Sequence, residues 1–222
     1  MTVPSEHTTA GIQMWHGAMR WEPPFEVRAP KGGQAEHGAG LYLCCHRLTA
    51  IRYAKGGGNL VHAVVDEKVR WLEDISVPAD VLLDAARRIP RLRQRHNIMS
   101  DIERAGLRRD GTLGLNVLAN LAVNYDAMVG QPAVDITRFM VEQGADASLY
   151  ERPSGDDWVV VFNPNALLRT RVVRSAEAGD FPYDYPSVRE QLKALAAAAA
   201  ATPAPLPATA ESTPAARRRP RP

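Results

Sequence analysis

Four short stretches of the 222-residue chain carry side chains able to do chemistry. "MWHGA" sets His16 at the end of an apolar run and follows it with Gly17, which puts an imidazole beside a backbone that a ligand can approach closely. "GAGLYLC" bends at Gly38 and Gly40 and presents Tyr42; "TAIRYA" adds Tyr53 eleven positions on. Two tyrosines on adjacent elements can sandwich a flat heteroaromatic ring. "SGDDWVVVFNPNALLR" places Asp156 and Asp157 at the mouth of an apolar run, where a carboxylate can meet a sugar hydroxyl or stabilise a developing cation. Each stretch also has a plainer reading. A His-Gly pair makes a turn, a tyrosine fills a core with its hydroxyl wet, and a Ser-Gly-Asp cluster closes a hairpin.

The elements that must position these residues follow from periodicity. Ile12–Ala18 reads as a strand and 19–40 as a Pro- and Gly-rich loop. Leu41–Cys45 reads as a short strand, Leu48–Lys55 as a helix, and Leu60–Asp66 as an apolar strand, with Val69–Leu72 as a further short one. From Pro78 to Met128 the pattern turns helical: Val81, Leu82, Ala85, Ala86 and Ile89 share one face, and Leu113, Val117, Leu121 and Tyr125 another. Asp110-Gly111 marks a turn between them. Asp135–Gln143 is a helix closed by Gly144, followed by strands at Ala147–Glu151, Trp158–Asn163 and Thr170–Arg174 and a helix from Ser187. Strands, then helices, then strands again imply an α+β fold.

Composition bounds the rest. No apolar run is long enough to span a bilayer, and the N-terminus lacks the basic-then-apolar pattern of a secretory signal, so a cytoplasmic location is expected. The two cysteines, Cys44 and Cys45, are neighbours, a spacing that suits one buried and one surface thiol rather than a disulfide or zinc site. The chain divides into a domain over 1–195 and an Ala/Pro-rich tail over 196–222, read as disordered beyond Thr202. The tail carries four arginines and one acid, +3 against a total of +2, so the domain is at −1. Its basic tip can add weak nucleic-acid affinity or serve only to solubilise. Between Arg87 and Arg109 stand eight arginines against Asp101 and Glu103. Such a stretch can grip nucleic acid or phosphates, or be a solvated helix face.

Taken in order, strand-His16-Gly17, Gly38-x-Gly40-Leu-Tyr42, Ala50-x-x-Tyr53 and a late acid opening a Val-Val-Phe-Asn-Pro strand resemble the ADP-ribosyltransferase superfamily. The likeness is to its diphtheria-toxin and poly(ADP-ribose)-polymerase branch, with a His–Tyr–Glu signature. The cholera-toxin branch needs a Glu-x-Glu turn, which this chain lacks. The resemblance covers about 12–66 and 145–174 and leaves a helical insertion at about 78–128. It implies a split antiparallel β-sheet that binds NAD as substrate, with no metal. His16 would hold the adenosine ribose, and Gly17 the nicotinamide amide. Tyr42 and Tyr53 would pack the ring, with Gly40 allowing the turn before Tyr42 and Ala50 as the small residue near the amide.

The signature glutamate has no counterpart. Alignment on the strand brings Trp158 or Asp157 to its place; Asp157 is the expected acid, with Asp156 and Glu151 in reserve. His16, Tyr53 and Asp157 are thus the expected catalytic set. The implied activity is mono-ADP-ribosyl transfer from NAD to a protein or nucleic acid, as in a toxin-like or phage-derived effector. An NAD glycohydrolase and a silent NAD- or ADP-ribose-binding module stay open. No membrane partner is expected.

Overall fold

The structure is a computed structural model that describes residues 10–30, 33 and 35–201. The expected tail lies, from residue 202 on, outside the described residues. The framework is a six-stranded antiparallel sheet formed by β1 (Ile12–Ala18), β2 (Leu41–Cys44), β3 (Asn59–Val65), β6 (Ala147–Tyr150), β7 (Trp158–Val161) and β8 (Leu167–Val173). Their order is β6-β7-β2-β1-β3-β8. The α+β class read from the sequence holds.

The junction at the centre of the sheet positions everything that follows. β1 pairs with β3 along its full length, from Ile12↔Val65 to Ala18↔Asn59, and β2 pairs with β7 from Leu41↔Val161 to Cys44↔Trp158. β1 and β2 themselves meet at one register point, Trp15↔Cys44. Beyond it the C-terminal half of β1 and the N-terminal half of β2 lack ladder pairing with each other, and the backbone polar groups that face the gap need other partners.

Both faces of the sheet are covered. Helix α1 (Arg47–Ala54) crosses β1 so closely that a Cβ on Gly17 would stand 1.7 Å from the Ala50 carbonyl oxygen. On the opposite face α6 (Val188–Ala201) adds Val188 to the buried cluster that holds Met14, Leu41 and Leu43, with Leu192 and Leu195 packed against that cluster. The helical region between β3 and β6 builds a third body of core. It comprises α2 (Ala79–Arg88), α3 (Arg95–Arg108) and α4 (Asn116–Asn124), joined by α5 (Gly130–Glu142), around Leu82, Ile98, Ile102, Leu118 and Met140. This core reaches the sheet through Val160 and Phe162.

Several boundaries differ from the sequence reading. Val69–Leu72 is no strand: Val69 closes a turn on Asp66, only Trp71 bridges to Ala147, and Leu72–Asp74 is a 3-10 turn. Leu113 shares the spacing of α4 but lies in β5 (Thr112–Gly114), which pairs with β4 (Ser76–Pro78); it enters the helical core from a strand. Helix α5 begins five residues before the expected start because Pro132 fits its first turn. Both cysteines are buried and free, not one buried and one exposed, because Cys45 turns into the α6 side of the core.

One buried polar group makes stability depend on pH. His62, opposite Trp15 on β3, sits in a box of Trp15, Phe181 and Tyr185 with ring centroids 5.0–5.7 Å away. Neither ring nitrogen has a hydrogen-bond partner. Burial, with Arg169 and Arg171 adding to it, pulls its pKa down from 6.5 to about 4. The unfolded chain therefore binds this proton first as pH falls, so the contribution is complete above the unfolded value and is lost from about pH 6.5 toward pH 4. The loss is on the order of 3 kcal/mol. Thermal melts from about pH 7 to pH 4 are expected to show this decline in the wild-type protein and a much flatter profile in His62→Leu. Equal slopes would contradict it.

Candidate functional site

The unpaired stretch between β1 and β2 is filled by a side chain. His16 Nδ1–H donates to the Tyr42 carbonyl oxygen at 2.7 Å, in place of the missing ladder bond. Burial lowers the imidazole pKa, with the Tyr42 carbonyl acting against it. The neutral ring, protonated at Nδ1, then leaves Nε2 as a hydrogen-bond acceptor. His16 thus stands in the gap between the two halves of the sheet.

On the α1 side of that gap lies a cleft of about 400 Å³. Gly17 and Ala50 form its back where helix meets strand, and Tyr42 and Tyr53 its aromatic walls. The Trp158 and Tyr53 ring centroids are 6.2 Å apart, edge to face, and the Arg152 guanidinium lies over the Trp158 ring at 5.0 Å. Leu43, Cys44, Thr49 and Glu36 complete the lining. The Tyr42 hydroxyl donates to the Gly38 carbonyl at 2.9 Å and accepts the His37 N–H at 3.2 Å. Burial is the main reason that its pKa is pushed up to about 12. Cys44 is likewise pushed up by burial, so this thiol is no nucleophile at neutral pH.

A second cleft of about 380 Å³ opens on the other side of His16, lined by Arg20, Trp21, Phe25, Arg28 and Leu41 and by Glu22 and Glu26. The Trp21 ring lies 5.3 Å from the imidazole. His16 is common to both clefts.

The structure brings His16, Gly17, Tyr42, Ala50 and Tyr53 to one place. It does not bring the expected acids there. Asp157 is 2% exposed, and its two carboxylate oxygens accept the backbone N–H groups of Arg152 (3.0 Å) and Val188 (2.9 Å), closing the 152–157 turn and capping α6. Asp156, 5% exposed, accepts from the His46 N–H at 2.8 Å and the Thr49 hydroxyl at 2.6 Å, which caps α1 from outside. Glu151 pairs with Arg189 on α6. The reason is topological: the chain enters β7 from a turn that must tie down the starts of two helices, and the acids are used there. Trp158, not an acid, is the residue of β7 that faces the cleft.

Gly40 is outside the cleft lining, and its role is steric: a Cβ there would meet the Val161 carbonyl at 2.6 Å. Gly17 is likewise demanded by α1, whatever a ligand requires. Sequence reasoning missed Glu36 and Thr49 as lining residues; Trp158, one of the two residues that alignment brought to the signature position, is the one found there. The signal for Glu36 was its place two residues before Gly38, whose φ of +109° folds the chain back over Tyr42. Among the described residues no group of three or more His, Cys, Asp or Glu side chains is arranged to hold a metal ion, and no helix is long and apolar enough to cross a membrane.

No family model, curated protein or solved structure matches the chain.

The burial of Asp157 leads to a prediction. Asp157→Ala strands two backbone N–H groups, one on fully buried Val188. The expected destabilisation is about 2–3 kcal/mol, with Asp157→Asn costing less because one acceptor oxygen remains. Denaturant titration measures the loss. Full stability in Asp157→Ala would contradict this structural role.

Proposed function

We propose that the protein binds NAD across the gap in the sheet and transfers ADP-ribose from it to a macromolecular acceptor. One observation carries this reading: His16, Gly17, Tyr42, Ala50 and Tyr53, named from separate stretches of sequence, line a single cleft. Its shape and chemistry suit a flat amide-bearing ring. The nicotinamide would lie between Tyr42 and Tyr53, which desolvate the glycosidic bond that must break. The ring nitrogen of His16 left free to accept would take a ribose hydroxyl. The ADP half would pass into the second cleft, where Trp21 offers a stacking face and Arg20 and Arg28 offer cations for the pyrophosphate. The Arg28–Glu26 pair there is exposed and weak enough to yield to a phosphate.

The exposed arginines at the α2–α3 corner, Arg87, Arg88, Arg91 and Arg93, suit a nucleic-acid acceptor. Arg87 is partly satisfied by Asp84, and Arg95 is spent on the Ile89 carbonyl. A second reading, a module that binds NAD or ADP-ribose without turnover, is favoured by one observation: Asp156, Asp157 and Glu151 all have other partners.

Incubation of the protein with labelled NAD and cell lysate, followed by nuclease or protease, separates the readings. Label on macromolecules supports transfer, and its nuclease or protease sensitivity names the acceptor class. Free ADP-ribose alone indicates hydrolysis. Binding of NAD with neither product indicates the silent module, and no binding at all contradicts the whole proposal.

A further inference from the structure

A cleft that breaks the nicotinamide–ribose bond needs an anion beside the ribose, because C1′ becomes cation-like as the bond opens. Glu36 is the one carboxylate among the residues lining the aromatic cleft. It is solvent-exposed there, so its carboxylate is not consumed by a buried hydrogen bond as those of Asp156 and Asp157 are.

The backbone that carries Glu36 is held from several directions. The Ala35 N–H donates to the Met128 carbonyl at 2.9 Å, and the Ala39 N–H to the Thr137 hydroxyl at 2.9 Å. Between them, the Tyr42 hydroxyl accepts the His37 N–H and donates to the Gly38 carbonyl. Gly38 has φ +109°, and a Cβ on it would meet the Phe162 ring at 2.7 Å, so the turn is seated on the core. The helical region between β3 and β6, through Met128 and Thr137, therefore fixes the turn that edges the cleft.

We infer that Glu36 is the catalytic carboxylate of this site, supplied from the turn before β2 instead of from the mouth of β7. The inference rests on the reading of the cleft as an NAD site. The C1′–N1 bond breaks, and its electron pair passes to the nicotinamide nitrogen, which leaves as neutral nicotinamide. The acceptor's nucleophilic O–H or N–H supplies the new pair to C1′ from the opposite face. Its proton passes to the Glu36 carboxylate and then to water. Glu36 opposes the charge at the ribose in the first part and takes the proton in the second.

The test compares the full-length wild-type chain with Glu36→Gln, an isosteric change at an exposed side chain. NAD affinity is measured by calorimetric titration, and release of nicotinamide from NAD is followed with saturating substrate. Glu36→Gln is expected to bind NAD within about threefold of wild type while kcat for nicotinamide release falls about 100-fold. Its NAD affinity also reports that the variant is folded. A fall of less than about tenfold in kcat, or a loss carried by KM alone, overturns the assignment. So does a wild-type protein that binds NAD and releases no nicotinamide, in which case the cleft reading survives. A wild-type protein that does not bind NAD removes the cleft reading and this inference together.

Discussion

His16→Ala is expected to weaken NAD binding by about 100-fold and to remove turnover. The size of the effect comes from two losses at one position. The ring supplies the acceptor nitrogen between the two clefts, and its Nδ1–H satisfies the Tyr42 carbonyl where β1 and β2 lack ladder bonds. Alanine leaves that carbonyl unpaired in a part-buried gap and opens the septum between the clefts, which together cost about 2–3 kcal/mol of interaction. Calorimetric titration with NAD measures it directly. Binding within about threefold of wild type would show that the imidazole only patches the sheet.

Gly17→Ala is expected to destabilise the fold by about 3 kcal/mol or more and to abolish ligand binding with it. The added methyl would stand 1.7 Å from the Ala50 carbonyl oxygen and 2.6 Å from its carbon. Both are backbone atoms of α1, so no side chain can rotate away and the helix itself must move. The same helix carries Thr49 and Tyr53 into the cleft, so its displacement dismantles the aromatic wall. Gly57→Ala, with no heavy atom within 4 Å of its new methyl, is the matched control and is expected to stay within about 0.5 kcal/mol of wild type. Chemical denaturation of the two variants gives the comparison; a Gly17→Ala protein as stable as Gly57→Ala would contradict the close helix–strand crossing.

The parts of this molecule that were legible in sequence share a physical cause. β1 matches its expected range, Ile12–Ala18, because it buries the large apolar residues Ile12, Met14 and Trp15 and is bounded by Gly11 and a Pro-rich loop. The convergence of His16, Tyr42 and Tyr53 was legible because each lies close in sequence to a glycine that the fold requires: Gly17 beside His16, Gly38 and Gly40 before Tyr42, and Gly58 after Tyr53. The acids were misplaced for a reason that local sequence does not contain. Whether Asp157 faces a cleft or caps a helix depends on where Val188 arrives, 31 residues later in the chain. Glu36 was passed over for the complementary reason: the turn that carries it is held by Met128 and Thr137, partners in the helical region between β3 and β6 that no local pattern connects to it. The same holds for β4 and β5, three-residue strands set by a pairing from Ser76 to Gly114.

The proposed activity requires that the gap between β1 and β2 bind NAD. The crystal structure of the full chain with NAD is the most direct test of that requirement. The nicotinamide is predicted between Tyr42 and Tyr53, with the adjoining ribose at Glu36 and the ADP half past His16 toward Trp21 and Arg20. NAD bound at another surface, or an empty cleft in crystals grown at an NAD concentration that saturates the protein in solution, would contradict it.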